Sequence, residues 1–300
     1  MRILVLGFTG YLGVHVAARL RDLPGALVIG GGRSPSADLH VDLARVRPEQ
    51  LAKTLTTAAP DIVVNCAGAT GGDAVTLAEV NARGPAVLCA ALCEAAPAAR
   101  LVHLGSAAEY GPGTPDTAVT ESGVTRPVGP YGATKLAGTL AVTASGLDTV
   151  VLRVGNPVGP GAPPSGLPGR IAGLLREAGP DPEAVLRLGD LSAYRDFVDV
   201  RDVSRAAVLA ATAPGPLPPV LNIGGGCAVP VRDLVRGLAG LAGFRGRIEE
   251  TTASSAGSAR SAQVSWQCSD STAAERALDW RPAHTLDDAL ATLWEGCRTP

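Results

Sequence analysis

Short apolar runs recur through the first half of the chain at 3–6, 27–29, 62–64, 101–104 and 150–152, and the stretches between them are rich in alanine and leucine. Short, mainly apolar runs of this kind suit strands buried on both faces, and the intervals are long enough for helices. Strand and helix taken in turn predict an α/β fold, a doubly wound parallel sheet. The crossover helices are expected at 11–22, 48–58, 74–95 and 130–144, each entered from polar or glycine-rich residues at a strand end. In such sheets ligands gather beyond the carboxyl ends of the strands.

Beyond residue 155 the pattern loosens into proline- and glycine-rich loops at 157–168 and 214–219, with helices predicted at 167–177, 199–212, 230–242 and 285–295. Residues 195–198 and 220–223 read as short strands that return to the main sheet. The expected division is therefore discontinuous. Residues 1–155, with returning segments near 196–223, form the larger domain, and 156–195 together with 224–300 form a smaller lobe. The Ser-, Ala-, Gly- and Thr-rich stretch 251–263 is expected to be a mobile loop.

Composition narrows the function. A chain of 300 residues can bury a full core. A net charge of -2 without a basic tract gives no electrostatic footprint for nucleic acid. The opening apolar run is too short for a signal peptide or a membrane span. The six cysteines include no C-x-x-C pair and the four histidines are scattered, so neither a metal site nor a disulfide framework is expected. Cys89 and Cys93 share a helix face and are expected as buried free thiols. Reduced, cytoplasmic surroundings follow.

Directly after the first strand stands Gly7-Phe8-Thr9-Gly10-Tyr11-Leu12-Gly13. Glycine alone makes a tight turn with positive φ and lets main chain approach a pyrophosphate, and the helix that follows offers unpaired N–H groups and its positive dipole end. The spacing departs from G-x-G-x-x-G, but the strand–turn–helix context points to a dinucleotide site of Rossmann type. The position that carries an acidic residue in an NAD site, about 20 residues on, is occupied here by Arg33, followed by Ser34. A guanidinium and a hydroxyl suit a 2′-phosphate, which favours NADP (NADPH) with NAD still open. Asp42 and Leu43 are candidates for the adenine edge; a helix-entry aspartate is the competing reading.

Tyr131-Gly132-Ala133-Thr134-Lys135 sets a phenol and an ammonium one helical turn apart on one face. Tyrosine ordinarily titrates at about 10, and a nearby cation favours the phenolate, which suits proton transfer. Together with Asn65-Cys66-Ala67-Gly68, Val80-Asn81-Ala82, Ser106-Ala107-Ala108-Glu109-Tyr110-Gly111, Arg153-Val154-Gly155-Asn156-Pro157 and Arg195-Asp196-Phe197-Val198, this motif resembles the extended short-chain dehydrogenase/reductase family, its nucleotide-sugar epimerase, dehydratase and ketoreductase group. The resemblance spans nearly the whole chain. It implies an NAD(P)-dependent enzyme with Ser106, Tyr131 and Lys135 as the catalytic group. Ser106 would hold the reacting oxygen, Tyr131 would exchange its proton, and Lys135 would orient the cofactor ribose. It places Thr9, Tyr11, Leu12, Cys66, Ala67, Gly68 and Asn81 beside the glycines at the cofactor, and Ser106, Ala107, Tyr131, Asn156 and Arg195 at the substrate. It also implies a homodimer through the helices at 74–95 and 130–144.

Three reactions share that scaffold. The dehydratases carry Asp-Glu directly after the serine or threonine, where this chain has Ala107 and Ala108, and Glu109, one residue later, should point to the other face if the backbone is extended. Dehydration is therefore disfavoured. Arg33 tilts the choice toward net reduction of a sugar carbonyl by NADPH, most plainly a nucleotide-diphosphate 4-keto-6-deoxy sugar. The alternatives are an NAD-dependent nucleotide-sugar 4-epimerase and a reductase of an aminoglycoside or other glycosylated ketone. A non-enzymatic cofactor sensor is disfavoured by the intact Ser106, Tyr131 and Lys135.

Overall fold

The structure, a computed structural model, describes residues 1–250 and 264–298, so the loop expected at 251–263 lies outside the described residues. The first half runs β1 (Arg2–Leu6), α1 (Tyr11–Arg21), β2 (Leu27–Gly32), β3 (Leu39–His40), α2 (Pro48–Ala58), β4 (Ile62–Asn65), α3 (Ala74–Ala78), α4 (Gly84–Ala95), β5 (Arg100–Ser106), α5 (Pro130–Thr143) and β6 (Thr149–Val154). The second half runs β7 (Asn156–Val158), α6 (Leu167–Ala178), β8 (Val185–Leu188), β9 (Tyr194–Asp199), α7 (Val200–Thr212), β10 (Val220–Ile223), β11 (Ala228–Pro230), α8 (Val231–Leu241), β12 (Arg247–Glu250), α9 (Thr272–Leu278) and α10 (Leu286–Arg298).

Seven parallel strands form the main sheet in the order β10-β6-β5-β4-β1-β2-β3. Strand alternation feeds two cores. Ile3 and Val5 of β1 pack with α1 and α7 on one face, while Leu4 and Leu6 pack with α2 and α4 on the other. The chain reverses direction across the sheet between β1 and β4, which opens a crevice at their carboxyl ends. Strand register brings Leu6 opposite Asn65, Asn65 opposite His103, and Ser106 opposite Val154. The residues that follow these strands therefore converge.

The expected strand at 220–223 does return to this sheet, as β10 beside β6. The one at 195–198 does not. As β9 it pairs with β7 and β11 in a separate three-stranded sheet. Its alternation explains why: Phe197 enters the core of the smaller lobe while Val198 enters the core of the main sheet, so β9 sits between the two. Helix α9, with Ala274, Leu278 and the fully buried Trp280, packs on the main core, although 224–300 was assigned to the lobe. The strands β8, β11 and β12 and helix α9, each of seven residues or fewer, are too short to show a period.

The helix expected at 74–95 is interrupted by a π-helical stretch over Glu79–Arg83, where the Gly84 N–H donates to the Glu79 carbonyl five residues back. Pro85 has no N–H to offer the Asn81 carbonyl, which removes one regular rung. Helix α5 closes on that carbonyl so tightly that a Cβ at Gly138 would lie 2.1 Å from it. Among the described residues, no helix is long and apolar enough to cross a membrane.

Candidate active site

The glycine turn leaves β1 with Gly7 at φ +73°, a conformation that L side chains avoid, and its N–H donates to the Gly31 carbonyl at 2.8 Å. A Cβ at Gly7 would stand 2.7 Å from the Ala67 nitrogen, and one at Gly13 would stand 2.0 Å from the Gly7 carbonyl oxygen. The protein's own packing thus explains two of the three glycines. Gly10 differs: it is exposed, and its Cβ would meet nothing closer than 3.2 Å. What its missing side chain leaves open is the approach to the first turn of α1, which has no side-chain cap and no acidic residue. That arrangement fits a pyrophosphate, which would be held by the main-chain N–H groups here and the helix dipole.

Around this turn lie the other expected cofactor residues. Thr9 is exposed and Leu12 packs beneath the turn on the main core. The Tyr11 hydroxyl donates to the Gly159 carbonyl at 3.4 Å, and its phenol is pushed up by burial and by Asp199. Arg33 is exposed at the carboxyl end of β2 and forms no ion pair with a described residue. Ser34 exchanges a hydrogen bond with Ser36 at 2.8 Å. Asp42 accepts from the Ala44 N–H at 3.1 Å in a local turn, and Leu43 is buried with its carbonyl held by Arg83.

After β4 the main chain passes through half-buried Cys66 and Ala67 to exposed Gly68. Asn65 shapes this loop by accepting from the Ala67 N–H at 3.1 Å. Asn81 is buried, and its side chain accepts from the Ala69 N–H at 2.9 Å and donates to the Ala69 carbonyl at 2.8 Å and to Thr134 at 3.3 Å. It pins the loop to α5 from behind.

Ser106 ends β5 and caps a 3₁₀ turn over Ala107–Glu109. Its oxygen accepts from the Ala108 N–H at 3.2 Å. Pro130 and Tyr131 open α5, whose start is wedged against this turn, for a Cβ at Gly132 would lie 2.5 Å from the Ala108 carbonyl. Tyr131 is half-buried. One turn on, Lys135 is buried and donates to the Leu104 carbonyl at 2.5 Å. Burial holds its ammonium below the ordinary lysine range, and the charge of Glu109 opposes that shift. His103, behind it, is kept neutral by burial, and the Lys135 charge acts in the same direction. Burial also pushes the Cys66 thiol up to about 12. Lys135 is therefore the cation in a pocket of otherwise neutral groups and one carboxylate.

The expected substrate residues are less open. Ala107 is buried. Asn156 donates to the Asp196 carbonyl at 3.1 Å and to Gln267 at 2.8 Å. Arg195 is buried and donates to the Tyr194 carbonyl at 2.7 Å, and burial pushes its guanidinium down to about 10. These contacts hold the seam between the main sheet and the smaller lobe. The sequence reading missed Glu109. The turn is not extended, and the carboxylate folds back to the Ser106 N–H at 2.7 Å and to Arg153 at 2.8 Å. The spacing Ser106-x-x-Glu109, a capping box, was the available signal.

Comparison with known proteins agrees with this geometry. Residues 3–224 match the model of the NAD dependent epimerase/dehydratase family. A dTDP-6-deoxy-L-talose 4-dehydrogenase (NAD(P)(+)) of Kitasatospora kifunensis is 38% identical over 98% of this chain and 94% of its own. A dTDP-4-dehydrorhamnose reductase of Burkholderia thailandensis is 35% identical over 51% of this chain and 49% of its own. Among solved structures, MoeE5 in complex with UDP-glucuronic acid and NAD superposes with a TM-score of 0.84 at 29% identity, covering 99% of each chain.

Proposed function

Because the chain belongs to the NAD-dependent epimerase/dehydratase family and is an NAD(P)-dependent oxidoreductase of the extended short-chain type, we propose that it is an NADPH-dependent ketoreductase. Its substrate in this reading is a 4-keto-6-deoxy sugar carried on a nucleotide diphosphate. The observation that carries the reading is the polarity of Ser106. Its oxygen is occupied by the Ala108 N–H, so its own proton is available to an acceptor oxygen in the crevice, which is what a carbonyl presents.

In the reductive direction, Ser106 holds the carbonyl oxygen and Tyr131 delivers the proton that this oxygen needs as charge develops on it. Lys135, one turn along the same helix, supports the phenolate that Tyr131 becomes. When bound, the reduced nicotinamide supplies the hydride. Arg33 supports NADPH, since an exposed guanidinium at the end of β2 suits a 2′-phosphate. The activities named for the two curated relatives, both at C4 of a deoxy-sugar nucleotide, support the substrate class. A homodimer is supported by an uncharged exposed stripe at helical spacing: Ala86, Ala90 and Cys93 on α4, with Ala133, Ala137 and Leu140 on α5; of the two thiols expected to be buried on α4, Cys89 is buried and Cys93 is exposed.

The test is to purify the protein, identify any nicotinamide it retains, and follow loss of NADPH absorbance with a dTDP-4-keto-6-deoxy sugar. Consumption of NADPH that disappears in Tyr131→Phe supports the reading. Retained NAD with no NADPH oxidation on any keto sugar overturns it in favour of the 4-epimerase.

A further inference from the structure

Glu109 has no exposed side-chain surface, and its partner Arg153 has almost none. A buried ion pair gains little over well-packed apolar residues, because both ions give up their hydration. Its place in the chain therefore needs another reason. The surroundings are built to hold it. Gly105 stands directly opposite Arg153 in the β5–β6 register, and a Cβ there would come within 2.8 Å of the Glu109 carboxylate. The missing side chain makes the slot in which the two groups meet.

From that slot the contacts run both ways. Toward the crevice, one Glu109 oxygen accepts from the Ser106 N–H at 2.7 Å, at the junction where extended β5 becomes the 3₁₀ turn. Away from it, Arg153 donates to the other oxygen at 2.8 Å and lies over the Tyr110 ring at 4.6 Å. The Tyr110 hydroxyl donates to Asn222 of β10 at 2.8 Å, and Asn222 donates onward to the Val119 and Asp270 carbonyls. The carboxylate is thus fixed from β5, β6 and β10 at once.

The charge of the same carboxylate opposes the effect of burial on Lys135. The charged or titratable groups that face it are Cys66 after β4, His103 on β5, Glu109 on the turn and Tyr131 on its own helix. Cys66 and His103 are held neutral by burial. The Leu104 carbonyl accepts a hydrogen bond but brings no charge. Glu109 is the anion.

We propose that Glu109 is a positioning residue: held by Arg153, its carboxylate fixes the main chain of Ser106 so that the hydroxyl presents its proton to the substrate oxygen, and it sets one buried negative charge against Lys135. This rests on the roles proposed above for Ser106, Tyr131 and Lys135, but it has a test that needs no turnover. The chain contains two lysines, Lys53 and Lys135. Protein labelled with ε-¹³C-lysine therefore gives two signals, and exposed Lys53 serves as the internal reference.

Glu109→Gln keeps an oxygen for the Ser106 N–H and removes the charge. Its Lys135 signal is expected to titrate about one pH unit lower than in wild type, with Lys53 unmoved. In turnover, kcat should fall about 30-fold with KM within twofold, and the alkaline limb of reduction should move to lower pH. Arg153→Lys should retain most of the kcat that Arg153→Met loses. Asp202→Asn alters another buried carboxylate, one bonded to the main chain of Ala283 and His284; it should lower the melting temperature without moving either titration. Gly105→Ala crowds the carboxylate and leaves its charge, so it should lower kcat while Lys135 titrates near its wild-type midpoint; it also stands in should Glu109→Gln not fold.

The proposal is overturned if Lys135 titrates alike in wild type and Glu109→Gln, if kcat in that variant falls only as the folded fraction does, or if Gly105→Ala folds with wild-type kcat. A wild-type protein that reduces no keto sugar would count against the proposed function, and the lysine titration would still decide this inference.

Discussion

Gly132 sits between the proposed proton donor Tyr131 and the turn that carries Ser106, and replacing it by alanine tests whether their spacing governs the chemistry. A Cβ at this position would lie 2.5 Å from the Ala108 carbonyl oxygen and 2.9 Å from the Pro127 Cβ, where ordinary contact begins near 3.4 Å. The carbonyl contact is with main chain, so about 0.9 Å must be recovered by shifting the start of α5 away from the turn. Alanine is otherwise favoured over glycine in a helix by about 0.8–1 kcal/mol, so lost activity would report displacement and not a weakened helix. A misplacement of about 1 Å at a reacting centre costs on the order of 10²-fold. Gly132→Ala is therefore expected to lower kcat by about 10- to 100-fold, with the cofactor dissociation constant unchanged, since the glycine turn after β1 is untouched. Gly129→Ala is the control: Gly129 caps the same helix in extended backbone, and its Cβ would meet nothing within 4 Å. Steady-state kinetics with calorimetric cofactor titration decides the matter. A Gly132→Ala kcat within twofold of wild type, or an equal loss in Gly129→Ala, refutes the reasoning.

Arg33→Ala should raise KM for NADPH by about 10- to 100-fold, the worth of one charge-assisted contact, and leave KM for NADH nearly unchanged; equal effects on both remove Arg33 from the 2′-phosphate. Burial pushes the Asp196 carboxyl up to about 6, against about 3.9 in an unfolded chain. The folded state thus binds this proton more tightly, and the Asp196 contribution to stability falls by about 3 kcal/mol as pH rises from about 4 to about 6. In urea unfolding, wild type should lose that much ground relative to Asp196→Asn across the window and none above it; a constant difference contradicts the shift. Leu140→Arg, placing a charge on a side chain that is 58% exposed in the middle of the apolar stripe, should turn a dimer into a monomer by sedimentation, and a wild type already monomeric rules out that interface.

What could be read in the sequence was local. The glycine turn is written in seven consecutive residues, and the parallel strands β1, β4, β5 and β6 are mostly apolar because helices cover both faces of the sheet. The register of the sheet then brings Gly7, Cys66, Ser106 and Asn156 to one edge without further instruction. What escaped notice depends on residues far apart in the chain. Glu109 looked like a misplaced acid because Arg153, 44 positions away, supplies its partner. Nothing in Val80-Asn81-Ala82 reveals that both ends of the Asn81 amide meet Ala69, 12 positions away. Strand β9 looked like part of the main sheet because its apolar pattern is the same whether its two faces enter one core or two. The break before α4 was legible after the fact in Gly84-Pro85, but a continuous apolar pattern outweighed it.

The passage of the chain back and forth between the main core and the smaller lobe has a consequence for its birth on the ribosome. By the time residue 154 has emerged, six of the seven strands of the main sheet exist and α2, α4 and α5 can cover one face of it, while the other face still waits for α7 and Trp280. The smaller core has no such early start. It needs Leu290 and Leu293 of α10 to close over Ile171, Leu175, Leu234 and Leu238. One face of the main sheet can therefore be covered well before the other face and the smaller core are complete. A chain that stopped short of Leu286 would lack α10 and leave that second core uncovered.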